Sequence, residues 1–284
     1  MTIYEALKWA SSFLEEAGRE HRIAEIVLLH ELNWNKTKLL TSLREELDEQ
    51  ILQSFQEKVK RHAETGVPVQ HLTGIEYFYG REFCVNNHVL IPRQETEELV
   101  QYAIEAAQSK EKPIIADIGT GSGVIAVTIA KELEQCHVHA VDVSPEALTV
   151  AKENARIHQA PVTFYQGSFL EPLQKNEIVV DILVSNPPYI PYEDKETLSD
   201  TVINFDPALA LFADHHGLAA YEEIVLQAKD VLAEDGWILF EIGHQQGEAV
   251  AQLLKHHFPQ SDVKIIKDIN KKDRIVWMKN YPQK

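Results

Sequence analysis

From Pro113 onward, apolar runs of strand length alternate with segments whose apolar residues recur at helical spacing, and that alternation leaves few folds open. Residues 114–117, 137–142, 162–166, 178–185 and 236–241 read as strands. Residues 124–133, 145–158 and 218–232 read as the helices between them. Strands joined through helices pair in parallel, because a parallel pair needs a crossover connection. The expected architecture is α/β: a mostly parallel, doubly wound sheet with helices on both faces. Residues 263–266 and 274–278 are expected to close it with a hairpin around Asn270-Lys271-Lys272.

The first 66 residues have a different period. Thr2 and Glu5 stand as T-x-x-E, a capping box that starts a helix. Ile3, Leu7, Ala10 and Leu14 follow at helical spacing and Gly18 ends the run. Ile23, Ile26, Val27 and residues 29–32 form a second stripe, and Leu47, Ile51, Phe55 and Val59 a third. Three amphipathic helices with short connections make a small bundle. Between 67 and 92 the pattern breaks again. Tyr77-Phe78-Tyr79 and Phe83-Cys84-Val85 flank Gly80-Arg81-Glu82, which reads as a β-hairpin linker. Val89-Leu90-Ile91 reads as a short strand ended by Pro92, and a helix is expected from about Glu95. The expected domains are a helical one over 1–66, a hairpin linker over 67–92 and a doubly wound one over 93–284.

Charge narrows the partners. The 284 residues carry 44 acids against 27 bases, a net charge of −17. Residues 67–284 hold 32 acids and 18 bases of that total. Such a surface repels phosphate backbones, so direct binding of nucleic acid is not expected. Two cysteines without metal spacing, and thirteen histidines without a zinc motif, give no metal site and fit a reducing cytoplasm. No apolar run reaches the roughly 18 residues of a membrane span, so no membrane partner is expected either.

Two loops carry the chemistry. Asp117-Ile118-Gly119-Thr120-Gly121-Ser122-Gly123 joins the first strand to its helix, where glycines permit a tight turn and close approach to a ligand. Asp142 ends the next strand, placed to meet the hydroxyls of a bound ribose. The spacing is G-x-G-x-G and not the dinucleotide G-x-G-x-x-G. Asp117 would face a pyrophosphate unfavourably but suits a cationic amino-acid moiety, directly or through water. These features favour S-adenosylmethionine over NAD.

The second loop, Asn186-Pro187-Pro188-Tyr189, follows the fourth strand. Two prolines stiffen it and remove two N–H groups. The Asn186 amide and the Pro187 carbonyl are then left to accept hydrogen bonds from a planar NH₂ group, with Tyr189 packing on its face. An amide or aryl amine delocalises its lone pair and is a poor nucleophile. Holding its hydrogens aims that lone pair at a methyl donor, and alignment of this kind contributes up to about 7–11 kcal/mol.

With these residues in view, the chain resembles the HemK-type glutamine methyltransferases that modify peptide chain release factors. The resemblance covers nearly the whole chain. It rests on Pro68-Val69-Gln70-His71-Leu72-Thr73-Gly74, on Val89-Leu90-Ile91-Pro92-Arg93-Gln94-Glu95-Thr96-Glu97, and on the glycine and N-P-P-Y loops. Asp206-Pro207-Ala208-Leu209-Ala210-Leu211, Phe240-Glu241-Ile242-Gly243 and Gln246-Gly247-Glu248-Ala249-Val250 complete the set. N-P-P-Y alone is shared with methyltransferases of nucleic-acid bases, the competing reading.

The resemblance implies a helical domain, a hairpin linker and a class I methyltransferase domain. It implies that Gly119, Thr120, Gly121, Ser122, Gly123 and Asp142 bind S-adenosylmethionine, with Phe169 flanking the adenine. It places Asn186 between cofactor and substrate. It implies that Asn186, Pro187, Pro188 and Tyr189 grip the glutamine of a Gly-Gly-Gln loop for N5 methylation. The chain departs from the family at Ser168-Phe169, where an acid and a tryptophan are usual, at Gln94 (proline) and at Asp206 (glutamate).

Overall fold

A computed structural model describes residues 1–282 of the chain. They form two compact units, one of Met1–Ile75 with Ser199–Phe205, the other of Glu76–Leu198 with the chain from Asp206 onward.

The first unit is helical. Helix α1 (Ile3–Glu16) starts on the capping box: Glu5 N donates to Thr2 Oγ1 (3.3 Å) and Thr2 N donates to Glu5 Oε2 (2.9 Å). It is followed by α2 (Arg22–Leu32), α3 (Lys36–Thr41), α4 (Glu49–Thr65) and α5 (Val69–Thr73). Asn35 caps α3 and Asp48 caps α4, each through its side-chain oxygen. Ile3, Leu14, Leu28, Leu39, Phe55 and Val59 are fully buried in a common core, and Phe205 packs against it. The three stripes in the sequence correspond to α1, α2 and α4. The short α3 and α5 complete too few turns to show a period.

The second unit opens with a hairpin of β1 (Ile75–Phe78) and β2 (Arg81–Cys84). Tyr79 and Gly80 both have positive φ (50° and 71°), the two-residue turn that matches strand twist. The expected strand at Val89 does not form. Pro92 lacks an N–H, and the segment runs as irregular backbone to α6 (Glu95–Ala107).

The main sheet contains β3 (Ile114–Ile118), β4 (His137–Asp142), β5 (Val162–Gln166) and β6 (Val180–Ser185). A separate parallel pair, β7 (Ile190–Pro191) with β8 (Phe212–Ala213), intervenes in the chain. The main sheet is completed by β9 (Leu232–Glu241), β10 (Asp262–Lys267) and β11 (Asp273–Lys279). The order across it is β10-β11-β9-β6-β3-β4-β5. The strands from β5 to β9 are parallel to one another, and β11 runs antiparallel to both neighbours.

Successive side chains of a strand point to opposite faces. Accordingly Ile115 of β3 and Ile275 of β11 join a core with Leu99 and Val100 of α6 and Val127 of α7 (Val124–Glu132). Their neighbours Ala116 and Val276 join the opposite core, under Ile224 of helix Ala219–Val231 and Leu254 of helix Gly247–His257. The latter helix was not legible in sequence, because two of its four buried positions are Gly247 and Ala251, which carry little hydrophobic signal.

Candidate active site

The carboxyl ends of the parallel strands surround a cavity of about 430 Å³, a size typical of small-molecule sites. Sheet topology places them there, because every βα loop of a parallel sheet leaves on the same side. The turn between β3 and α7 supplies one wall with Gly119, Thr120, Gly121 and Ser122. Gly119 and Gly121 have φ of +72° and +56°, and a Cβ on either would meet no protein atom within 4 Å. Gly123 stands outside that wall. Its φ is +82°, and a Cβ there would lie 3.0 Å from Ala151 Cβ on α8 (Pro145–His158), so it sets helix packing.

Asp142 closes the next side of the cavity. It is 9% exposed, and its oxygens accept from Gly121 N (2.8 Å) and Ser144 N (2.9 Å). Burial pushes its carboxyl above the ordinary range, against the pull of these amide donors. A carboxylate has about four lone-pair sites, so acceptor capacity remains for further donors. Beyond β5, Gly167, Ser168 and Phe169 form the third side. Phe169 is held at φ +45°, unusual for a bulky residue and costing on the order of 1–3 kcal/mol.

Asp117 takes another place than expected. It is fully buried and does not line the cavity. Its Oδ2 accepts from Thr120 Oγ1 (2.6 Å) and Ala126 N (3.2 Å), tying the glycine turn to α7, while Oδ1 has no hydrogen-bond partner. Desolvation raises its carboxyl to about 7.

The N-P-P-Y loop leaves β6 next to the glycine turn. Ser185 Oγ donates to Ile118 O (2.6 Å), locking the ends of β6 and β3 together. Asn186 and Pro188 line the cavity, whereas Pro187 is buried and Tyr189 is half-buried against the second core, outside the cavity wall. Gln246 Nε2 donates to Tyr189 O (2.9 Å). Gly217 permits the close approach there: at φ +82°, a Cβ on it would fall 2.1 Å from that carbonyl. Burial also raises the Tyr189 hydroxyl.

Several contributors were not singled out as site residues from the sequence, although Arg93, Thr96 and Glu241 stand in segments that carry the family resemblance. Asn186 Nδ2 donates to Thr96 Oγ1 (3.3 Å), and Thr96 Oγ1 donates to Glu241 Oε2 (2.7 Å). Asn154, fully buried on α8, donates to Ser122 O (2.8 Å) and Cys84 O (3.0 Å) and so ties the hairpin to the glycine turn. Val89, Leu90, Pro92 and Arg93 form the remaining wall with Pro207 and Leu209. Arg93 pairs with buried Asp206 at 3.5 Å. A lone asparagine inside a helix, as at Asn154, gives no sequence signal. Glu241 ends a parallel strand but is buried and does not line the cavity.

The donor set fits a nucleoside. An acid with spare acceptor capacity, a glycine turn open toward the cavity, and apolar surface from Val143, Ala147 and Phe169 meet in one place. Counted along the chain from β3, the sheet order is 3-2-1-4-5-7-6 with the seventh strand antiparallel. A dinucleotide-binding sheet instead runs 3-2-1-4-5-6. Fold and site together define a class I methyltransferase domain.

The model of the methyltransferase small domain matches residues 96–210, and that of the PrmC N-terminal domain matches residues 5–74. Release factor glutamine methyltransferase of Bacillus cereus is 48% identical over 98% of this chain and 99% of its own length. The enzymes of that name from Bacillus subtilis and Enterococcus faecalis are 47% and 41% identical. They cover 97% and 96% of this chain, and 96% and 97% of their own lengths. The chain belongs to the release factor glutamine methyltransferase family.

Proposed function

We propose that this enzyme transfers a methyl group from S-adenosylmethionine to the side-chain amide nitrogen of the glutamine in the Gly-Gly-Gln motif of peptide chain release factors. The observation that carries this reading is the shared cavity: Asn186 stands in the same space as the glycine turn and Asp142. Gly119, Thr120, Gly121 and Ser122 would cradle the cofactor, with Gly123 and Asp117 shaping the turn. Asp142 would accept from the ribose hydroxyls and Phe169 would flank the adenine. When bound, S-adenosylmethionine supplies an electrophilic methyl group on a sulfonium.

The chain's own residues do the rest. Asn186 Oδ1 and the Pro187 carbonyl accept the two amide hydrogens of the target. That turns the nitrogen lone pair toward the methyl donor and stabilises the positive charge that grows on nitrogen. Pro188 walls the approach. Tyr189, packed beside it, stiffens the loop. No strong base is needed before transfer: the neutral amide forms the new N–C bond as the sulfonium C–S bond breaks, and the methylated nitrogen then releases one proton to water, the two carbonyl acceptors orienting it without taking that proton.

Family membership favours a protein glutamine over a nucleic-acid base, and so does the acidic charge of residues 67–284. The helical region over 1–66 is assigned to docking the protein substrate, 67–92 to the linker and 93–284 to catalysis. Among the described residues no helix is long and apolar enough to cross a membrane, in keeping with a cytoplasmic enzyme of translation termination.

The cofactor assignment is tested by calorimetry with S-adenosylmethionine on the wild type and on Asp142→Ala. Losing a charged acceptor costs about 1.5–3 kcal/mol, so the variant is expected to bind roughly tenfold or more weakly. An unchanged dissociation constant refutes the role of Asp142.

A further inference from the structure

The Asn186 amide has two ends of nearly equal shape and opposite chemistry. Only the Oδ1 end can accept a hydrogen from a target amide; the Nδ2 end would meet it donor to donor. Something must therefore decide which end faces the cavity. Thr96 borders the same cavity as Asn186 and Glu241 lies outside its wall, at 3% and 2% exposure, in a chain of two hydrogen bonds to Asn186. A threonine hydroxyl has one proton. Above about pH 7, where Glu241 is ionised, its carboxylate accepts and cannot donate, so that proton goes to Glu241 Oε2. Thr96 Oγ1 is left with lone pairs alone toward Asn186, and these accept only the Nδ2 end.

We infer that Thr96 and Glu241 are positioning residues that fix the amide orientation of Asn186, holding Nδ2 inward and leaving Oδ1 for the substrate. The inference rests on the proposed methyl transfer for its purpose, but the orientation itself is a property of the cofactor-free chain. The chain of bonds crosses three elements: the loop after β6, the first turn of α6 and the end of β9. It therefore also couples the substrate loop to the framework on which the cavity is built. Charged and titratable groups around Glu241 are Arg274 on β11, Arg93 and Glu95 at the start of α6, and Tyr189 on the loop. Tyr221 donates from its hydroxyl to the Glu241 backbone carbonyl (2.8 Å), fixing the strand end.

The test uses full-length protein at about pH 8, where Glu241 is ionised, in two arms. In the first, kcat and KM for a purified release factor and the dissociation constant for S-adenosylmethionine are measured in wild type, Thr96→Val and Thr96→Ser. Valine keeps the shape and removes the hydroxyl; serine keeps the hydroxyl. Thr96→Val is expected to lower kcat by about 10- to 100-fold, the scale of a misplaced reacting group. Cofactor affinity should stay within about twofold and Thr96→Ser should restore most of the rate. A wild-type kcat in Thr96→Val, or a serine variant as slow as the valine one, overturns the inference.

The second arm follows exchange of the Asn186 side-chain NH₂ protons by NMR without cofactor, assigned by their loss in Asn186→Ala. Slow exchange in wild type and Thr96→Ser, with exchange about tenfold faster or more in Thr96→Val, supports the inward Nδ2. Equal exchange in all three overturns it. If wild type transfers no methyl to the release factor, the functional reading fails, while the NMR arm still decides the orientation.

Discussion

Asn186 and Glu241 illustrate how differently two residues of one site depend on their surroundings. In the proposed mechanism Asn186 acts by contact. Its replacement by alanine removes a positioned acceptor, and turnover is expected to fall by at least about 10²-fold. Steady-state kinetics at saturating cofactor measure this, and near-normal turnover would contradict its role.

Glu241 acts from within, and its burial has a measurable sign. Desolvation raises its carboxyl from an ordinary 4.5 to about 7, only partly opposed by the Thr96 hydrogen bond and by Arg274. Between those values the folded chain retains a proton that the unfolded chain has released. This group's contribution to stability therefore falls as pH rises through that window and levels off above it. Glu241→Gln removes the effect. The melting temperature of the variant relative to wild type is expected to rise from pH 5 to pH 8. A difference that stays constant with pH would show that Glu241 is not desolvated as described.

At the scale of elements, the site is a product of strand ends. The loops after β3, β4, β5 and β6 converge because the parallel strands share a direction, and much of this was readable in advance. The strands over 137–142 and 162–166 and the helix over 145–158 appear with the boundaries that periodicity implies. Both motif loops fall at strand ends.

What sequence did not show has physical reasons. Val89 lies in an apolar run but finds no strand to pair with. Asp117 sits beside the glycines, yet its oxygens turn inward to the loop. The chain of bonds to Asn186 brings together residues separated by 90 and 145 positions, which no local pattern encodes. Gly123 gives a test at this level. Its positive φ and the 3.0 Å approach to Ala151 leave no room for a side chain without displacing α7 from α8. Gly123→Ala is expected to destabilise the fold by about 1–3 kcal/mol, combining overpacking with backbone strain. Urea denaturation would show this as a lower midpoint, and an unchanged midpoint would contradict it.

At the scale of the whole molecule, the chain divides its residues between two compact units of different kinds. Ser199–Phe205 belongs with the N-terminal helices although it lies between segments of the catalytic unit. A reading that follows chain order cannot place such a segment, because membership of a core is set by packing. Phe205 joins the helical core from more than a hundred residues away.

The charge of −17 distinguishes between substrates at the same scale, disfavouring a polyanion. The most direct test of methyl transfer to glutamine combines purified enzyme, labelled S-adenosylmethionine and a purified bacterial release factor, followed by tandem mass spectrometry of the Gly-Gly-Gln peptide. One added methyl group on the glutamine side chain is the expected result. An unmodified peptide from a reaction in which the enzyme binds the cofactor, or a methyl group on another residue, would contradict it.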